Sequence, residues 1–224
     1  MAKIGFIGMG NMATAIMKGL LKSYAPEEIL FSSAHEEKMA KVTAETGVPH
    51  ASSNIECAKQ VKYLVLAVKP QVLPKVFAEL KDVVTKEQVI ISIAAGYSVA
   101  DLTEGLGGDV RVVRSMPNTP AMVGEGMTGV CYDAALFTEE EKKTIEEIFT
   151  SFGKMEIVEI LKSADSLQSG DIAVGNKSHR TILYTLGVEI VILDHHQHIS
   201  AFDCLLGREV VAADTFIISV GTFV

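Results

Sequence analysis

The sequence predicts an α/β fold with a doubly wound, mostly parallel sheet over residues 1–158, followed by a smaller C-terminal segment over residues 159–224. In the first part, short apolar runs alternate with stretches of helical periodicity, a pattern typical of parallel strands covered by helices on both faces. A glycine-rich turn joins the first apolar run to the first helical stretch. This alternation weakens from about Leu161, and we therefore place a domain boundary at residues 158–159.

The predicted elements follow one another at the spacing of βαβ units. Strands are predicted at residues 3–7, 29–31, 63–68, 89–93, 110–113 and 154–158. Met12, Ile16, Gly19 and Leu20 recur at helical spacing between the first two strands. Further helices are predicted over residues 70–80, 98–106 and 138–152. In the C-terminal segment, residues 188–193 and 215–218 have the composition of strands.

Two of the predicted helices begin with the pattern of a capping box. Ser98 precedes Asp101 by three residues, and Thr138 precedes Glu141 at the same spacing. In such a pair the hydroxyl accepts from the later backbone N–H, and the acidic side chain accepts from the earlier one. We therefore expect helices to begin directly after Ser98 and Thr138.

Composition restricts the classes of partner and the compartment. The net charge of the 224 residues is −8 without a basic cluster, so nucleic acids and anionic membranes are not expected partners. No apolar run reaches the roughly 20 residues of a membrane span, and no leader-like segment precedes the first strand. Cys57, Cys131 and Cys204 are widely spaced, which favours free thiols in a reducing compartment. We expect a cytoplasmic protein.

The first turn has the pattern Gly-x-Gly-x-x-Ala, with Gly8, Gly10 and Ala13 in the three defining positions and Asn11 and Met12 between them. In a dinucleotide site the first glycine makes the tight turn and the second lets a pyrophosphate approach the backbone. The N-terminus of the following helix directs free N–H groups at that anion. Because a strand precedes this turn and a helix follows it, we interpret it as a Rossmann-like cofactor site rather than a bare structural turn.

The end of the second predicted strand bears on which nicotinamide cofactor is bound. An NAD-specific site usually places Asp or Glu there, to bind the ribose 2′-hydroxyl. Here the strand is followed by Ser32, Ser33, an alanine and His35, and the first acid is Glu36. Two hydroxyls without a carboxylate favour a 2′-phosphate. We therefore predict NADPH as the cofactor, with NADH as the alternative. If these residues bind no ligand, they form an exposed loop before a helix.

Four stretches together resemble the pyrroline-5-carboxylate reductase family: IGFIGMGNMATAIMKGLL, LVLAVKPQVL, IISIAAGYS and RVVRSMPNTPAMVGEGMT. The similarity extends over residues 1–158. It implies an oxidoreductase of proline biosynthesis that reduces Δ1-pyrroline-5-carboxylate, a small cyclic imine, to L-proline with NAD(P)H. It also implies a homo-oligomer.

The resemblance implies the positions of the remaining site residues. The stretch with Ala67, Val68, Lys69 and Pro70 would border the ribose and pyrophosphate, and Asn54 would lie near the adenosine end. The nicotinamide pocket would be lined by Ala94, Ala95 and Gly96 on one side and by Asn118, Thr119 and Pro120 on the other. These stretches also follow predicted strands, where ligands of open parallel sheets bind. Asn118 could offer the nicotinamide carboxamide a donor and an acceptor together.

No residue is identified as a catalytic proton donor. A protonated imine is already electrophilic, and most of the chemistry belongs to the cofactor. For Arg111 and Arg114 we favour surface or structural pairing. The segment from Asp194 to His198, with three histidines, could hold a metal, but a histidine-rich surface turn is the better interpretation, so no metal site is predicted. A triad of Asp171, Ser178 and His179 is not favoured, because adjacency in sequence is not geometry.

Residues 159–224 depart from the family. Its second domain is a helical bundle that forms a dimer and completes the active site, with the signatures Ser-Gly-Ser-Gly-Pro-Ala-Tyr and Ser-Pro-Gly-Gly-Thr-Thr. This sequence contains neither. Two further hypotheses therefore stay open, another NADP-dependent hydride-transfer enzyme acting on imines or a deazaflavin, and a dinucleotide-binding protein with impaired catalysis.

Overall fold

The computed structural model describes residues 2–158 and, further along the chain, the strands at 173–177, 180–185, 188–191 and 218–220. The chain divides into two compact units, Met1–Ile157 and Val158–Val224. In the described residues, no helix is long and apolar enough to cross a membrane.

The first unit is built on a seven-stranded sheet with the order β2-β1-β3-β4-β5-β6-β7. Its strands are β1 (Ile4–Ile7), β2 (Ile29–Ser32), β3 (Tyr63–Leu66), β4 (Val89–Ser92), β5 (Arg111–Pro117), β6 (Gly126–Cys131) and β7 (Gly153–Ile157). Every neighbouring pair is parallel except β5 and β6, which are antiparallel. The predicted Rossmann-like, mostly parallel sheet is therefore confirmed for this unit.

Six helices cover the two faces of this sheet: α1 (Asn11–Leu20), α2 (Glu36–Thr46), α3 (Asn54–Lys59), α4 (Leu73–Leu80), α5 (Val99–Gly105) and α6 (Glu139–Thr150). One core cluster contains Ile16 of α1, Met39 of α2 and Phe149 of α6. The other contains Phe77 of α4 and Leu102 of α5, together with residues of α3. Apolar side chains on both faces of the strands explain why their sequences are nearly continuous apolar runs.

Both predicted capping boxes are present. Ser98 Oγ accepts from the Asp101 backbone N–H at 3.0 Å, and Asp101 Oδ2 accepts from the Ser98 N–H at 2.7 Å. Thr138 Oγ1 and Glu141 Oε2 make the same reciprocal pair at 3.2 and 3.0 Å. These bonds satisfy N–H groups that the first turn of a helix leaves without partners.

Several element limits differ from those predicted. The helix predicted from residue 70 begins at Leu73, after a 3₁₀ turn at Pro70–Val72, because two prolines restrict this stretch. β3 ends at Leu66 rather than at residue 68, and β5 extends to Pro117. β6 was not predicted. Its sequence, GMTGVC, has two glycines and a threonine in place of an apolar run. Its strand conformation is stabilised by pairing with β5 and β7.

The interpretation of Arg111 as a structural residue is confirmed. Its guanidinium makes a bidentate pair with Glu141, with N···O distances of 2.7 and 3.0 Å, and Lys62 Nζ lies 3.0 Å from the same carboxylate. The Nε of Arg114 is buried without a hydrogen-bond partner in the described residues, but the positive charge of Arg114 is among the causes that lower the pKa of the Asp101 carboxyl. Cys57 and Cys131 are free thiols, and burial raises the pKa of the Cys57 thiol to about 12.

The described strands of the second unit form an antiparallel sheet with the order β11-β10-β9-β8. They are β8 (Ala173–Lys177), β9 (Arg180–Thr185), β10 (Val188–Val191) and β11 (Ile218–Val220). The strand predicted at residues 188–193 is observed as β10, and of the strand predicted at 215–218 only Ile218 is described. The 194–198 histidine segment, the candidate triad and Cys204 lie outside the described residues.

Candidate functional site

The candidate site lies at one edge of the sheet. Strands β1 to β5 run parallel, so the segments that follow them emerge at the same edge, as in other open α/β sheets that bind ligands there. Backbone bonds join the residues directly after β1 and β3 to the last residues of the neighbouring strands. Gly8 N–H donates to Ser32 O at 2.9 Å, and Ala67 N–H donates to Ile7 O at 2.9 Å. The structure thus brings together the carboxyl ends of β1, β2 and β3.

The two glycines of the first turn have different reasons to be glycine. Gly8 has φ +91°, and a Cβ there would lie 2.8 Å from Ala67 O and from Val68 Cγ1. The fold itself therefore requires glycine at this position. Gly10 has φ −78°, a conformation open to any residue, and no atom of the described residues lies within 4 Å of the position its Cβ would take. The protein's own packing gives no reason for glycine at this position, but space for a ligand does.

This open space lies at the N-terminus of α1. Gly10 is the N-cap residue, no side chain caps this end, and the first turn contains no acidic residue. The backbone N–H groups of Asn11, Met12 and Ala13 accordingly have no hydrogen-bond partner in the described part of the chain. Free N–H groups and the positive end of a helix together bind anions. These residues fit the pyrophosphate of a dinucleotide, with Gly10 leaving room for it.

The edge near β2 contains the residues predicted for the adenosine end. Ser32 is 2% exposed, and its Oγ donates to Asn54 Oδ1 at 2.7 Å. Asn54 Nδ2 donates in turn to Glu79 Oε2 at 2.7 Å. Ser33 is half-buried and makes no side-chain hydrogen bond in the described residues. Of the two predicted serines, Ser33 therefore has its hydroxyl free, whereas that of Ser32 is bound by the protein.

The loop after β4 was predicted to line the nicotinamide pocket. Ala94 is buried, whereas Ala95 and Gly96 are exposed. Ser92 fixes the start of this loop, because its Oγ accepts from Ala94 N–H at 3.3 Å and its carbonyl accepts from Ser115 Oγ at 3.0 Å. Gly96 has φ +80°, a conformation that favours glycine, and among the described residues no atom lies within 4 Å of a Cβ position, which leaves open space beside it.

One hydrogen bond fixes the orientation of the Asn118 amide. Asn118 is 8% exposed, and its Oδ1 accepts from the buried backbone N–H of Met127 at 2.9 Å, which ties together the two ends of the loop containing the 3₁₀ turn Thr119–Val123. A backbone N–H can only donate, so this contact fixes the orientation of the amide. The carbonyl expected to accept from the carboxamide thus already accepts one bond and keeps a second lone pair, while the amide N–H groups make no hydrogen bond within the described residues. Thr119 is exposed and Pro120 half-buried.

Two other observations concern the surroundings of the site. Lys69 is exposed and makes no ion pair in the described residues. A cavity of about 520 Å³ between α1 and α2 shares Asn11 with the site and is otherwise lined by residues that include Lys18, Lys38 and Met122.

Sequence reasoning missed Glu79, since an acidic residue within a helix carries no signal of its partner.

Comparison with known proteins identifies relatives of this chain. A family model described as NADP oxidoreductase, coenzyme F420-dependent, matches residues 3–96. The pyrroline-5-carboxylate reductase of Escherichia coli (strain K12) is 39% identical over 158 residues, which are 70% of this chain and 58% of that protein. The chain therefore spans less than two thirds of this relative's length.

Solved structures give the same relationship. A pyrroline-5-carboxylate reductase from Coxiella burnetii is 34% identical with a TM-score of 0.67, over 71% of this chain and 59% of that one. The Plasmodium falciparum pyrroline carboxylate reductase, solved with NADP bound, is 29% identical with a TM-score of 0.62, over 70% and 58% of the two chains. Over about 70% of its length, the chain is similar to members of the pyrroline-5-carboxylate reductase family.

Proposed function

We propose that this protein binds NADPH at the edge of its parallel sheet and reduces Δ1-pyrroline-5-carboxylate to L-proline. The observation that carries the proposal is the open space at Gly10, in front of the uncapped N-terminus of α1. A glycine that the fold does not need, placed beside unpaired N–H groups, is accounted for by a bound pyrophosphate. The names of the relatives supply the substrate.

The proposed cofactor site uses the predicted residues in spatial order along the sheet edge. The pyrophosphate binds at the turn and the start of α1, through Gly8, Gly10, Asn11, Met12 and Ala13. Around it lie Ser32, Ser33 and Asn54 towards the adenosine, the stretch Ala67, Val68, Lys69 and Pro70, and the two loops of the nicotinamide pocket. NADPH is preferred to NADH because Ser33 has a free hydroxyl and β2 does not end in a carboxylate. NADP bound to the Plasmodium falciparum relative supports this preference.

When bound, the cofactor supplies the hydride that reduces the imine carbon. The chain positions and surrounds the nicotinamide with the loop at Ala94, Ala95 and Gly96 and with Asn118, Thr119 and Pro120. The amide N–H groups of Asn118 are available as donors, since its carbonyl is engaged by Met127. The protonated imine needs no strong acid from the protein, and no proton donor is assigned.

The proposal extends to the organisation of the chain. We assign residues 1–158 to the dinucleotide-binding domain and residues 159–224 to a divergent segment in place of the family's helical dimerisation domain. The Escherichia coli relative is longer than the aligned region, which covers 58% of it. A cytoplasmic homo-oligomer with a small-molecule imine substrate accords with the family and with the charge of the chain.

The test is the oxidation of NADPH by purified protein with pyrroline-5-carboxylate, with the oligomeric state measured by light scattering on the same sample. We expect NADPH to be consumed only when the imine is present, and the rate to fall in Gly10→Val. Normal NADPH affinity without turnover of any cyclic imine would limit the function to cofactor binding. Failure to bind either nucleotide would overturn the proposal.

A further inference from the structure

We propose that Glu79 is a positioning residue that selects for the 2′-phosphate of NADPH by fixing the orientation of the Asn54 amide. The inference rests on the proposed function, because it assigns Glu79 a role towards the adenosine end of the cofactor. Glu79 lies on α4, outside the motifs that carry the family resemblance and outside the predicted site.

The proposal begins with two hydrogen bonds that join three separate elements. Ser32 ends β2, Asn54 begins α3 and Glu79 lies near the end of α4. Ser32 Oγ donates to Asn54 Oδ1, and Asn54 Nδ2 donates to Glu79 Oε2, both at 2.7 Å. The two contacts span 22 and 25 residues of sequence, so neither is local. Ser32, Asn54 and Glu79 are here called the amide relay.

The chemistry of the relay permits one direction only. A carboxylate accepts hydrogen bonds and cannot donate them, so Glu79 requires the NH₂ side of the Asn54 amide to face it. The carbonyl of Asn54 must then face Ser32, whose hydroxyl is obliged to donate. Glu79 therefore fixes the orientation of the Asn54 amide directly and, through Asn54, that of the Ser32 hydroxyl.

This orientation decides what remains for a ligand. Asn54 is half-buried, with one N–H not used by Glu79, and Ser33, the residue after Ser32, makes no side-chain hydrogen bond in the described residues. A phosphate only accepts hydrogen bonds, so it matches an N–H and is opposed by a carbonyl. A ribose 2′-hydroxyl can donate or accept, so it tolerates either face of the amide. Releasing the amide should therefore weaken NADPH binding more than NADH binding.

Two substitutions of Glu79 separate the effect of losing its hydrogen-bond acceptor from the effect of losing its charge. Glu79→Leu removes both and frees the amide to rotate. Glu79→Gln removes the charge but keeps a carbonyl that can accept from Asn54 Nδ2. The matched control is Glu104→Leu, which removes an exposed carboxylate from α5 in the same way.

The experiment measures the dissociation constants of NADPH and NADH by calorimetry for the wild type and the three variants. We expect Glu79→Leu to weaken NADPH binding about tenfold, the loss of one hydrogen bond to a charged group, and NADH binding by less than about threefold. Glu79→Gln should bind NADPH at least as tightly as the wild type. Glu104→Leu should leave both constants unchanged.

A second readout does not depend on the cofactor. The side-chain NH₂ resonances of Asn54 in a ¹⁵N-correlated NMR spectrum should be well dispersed in the wild type and in Glu79→Gln. In Glu79→Leu they should move towards the values of a free amide, while dispersed backbone signals show that the variant folds.

Three outcomes would overturn the proposal. Glu79→Leu could bind NADPH as tightly as the wild type, Glu79→Gln could lose as much affinity as Glu79→Leu, or both nucleotides could weaken equally in Glu79→Leu. If the wild type binds neither nucleotide, the proposed function itself fails and Glu79 has no cofactor to select. The Asn54 resonances distinguish that failure from a relay that does not exist.

Discussion

Replacing Gly10 with valine should abolish most cofactor binding and leave the fold intact. The Gly10 backbone, at φ −78° and ψ −176°, lies in the extended region that valine prefers. No atom in the described part of the chain lies within 4 Å of the new Cβ, so the side chain enters open space there. The variant has a poorer N-cap but a less flexible unfolded chain, and these effects are each about 0.5–1 kcal/mol with opposite signs. The free energy of unfolding should thus change by less than about 1 kcal/mol.

The same side chain occupies the space proposed for the pyrophosphate. Losing one hydrogen bond between a backbone N–H and a phosphate oxygen costs about 1.5–3 kcal/mol, or roughly a ten- to hundredfold increase in Kd. The assay is calorimetric titration with NADPH, beside urea unfolding of the same protein. Ala40→Val, which likewise introduces a valine side chain at an exposed position, on α2, is the control. A Kd for Gly10→Val equal to that of the wild type would refute the assignment of this turn to the pyrophosphate.

Three further predictions concern recognition of the ribose 2′ position, the free energy of unfolding, and NADPH binding by the first unit alone. Ser33→Asp should reverse the preference for NADPH over NADH, because a carboxylate repels the 2′-phosphate and binds a 2′-hydroxyl; unchanged relative affinities in titrations would contradict this. The hydrogen bond from Arg111 is the largest of the effects that lower the pKa of Glu141 from 4.5 to about 2. A lowered pKa stabilises the fold above the unfolded value, so Glu141→Gln should lose on the order of 2 kcal/mol at pH 7, and its deficit in urea unfolding should shrink as the pH falls below about 4.5. A chain ended at Val158 should stay soluble and keep most of its NADPH affinity, because the compact unit Met1–Ile157 contains the whole proposed cofactor site; loss of binding in that chain would show that later residues complete it.

The parts of the fold that were predicted from sequence depend on local signals. Gly8 and Gly10 mark the turn, and Ser98 with Asp101 marks a helix start, because each of these patterns acts within a few residues. β6 was missed since its placement is decided by β5 and β7, which lie on either side of it in the sheet.

The site was predictable at the level of segments but not of hydrogen bonds. Each segment follows a strand, and parallel strands end at one edge, so sequence order alone brings the segments together. The engagement of Ser32 by Asn54, and of the Asn118 carbonyl by Met127, changes what these side chains offer a ligand. The Ser32–Asn54 and Asn54–Glu79 bonds join residues more than twenty positions apart, and nothing in the residue types alone pairs them.

The central claim is that the space in front of α1 is the pyrophosphate site, and a crystal structure of the protein with NADPH tests it most directly. The account predicts pyrophosphate oxygens within about 3.2 Å of the N–H groups at the start of α1, directly beside the Cα of Gly10. A nucleotide seated instead in the cavity between α1 and α2, against Lys18 and Lys38 with the space at Gly10 left open, would contradict it.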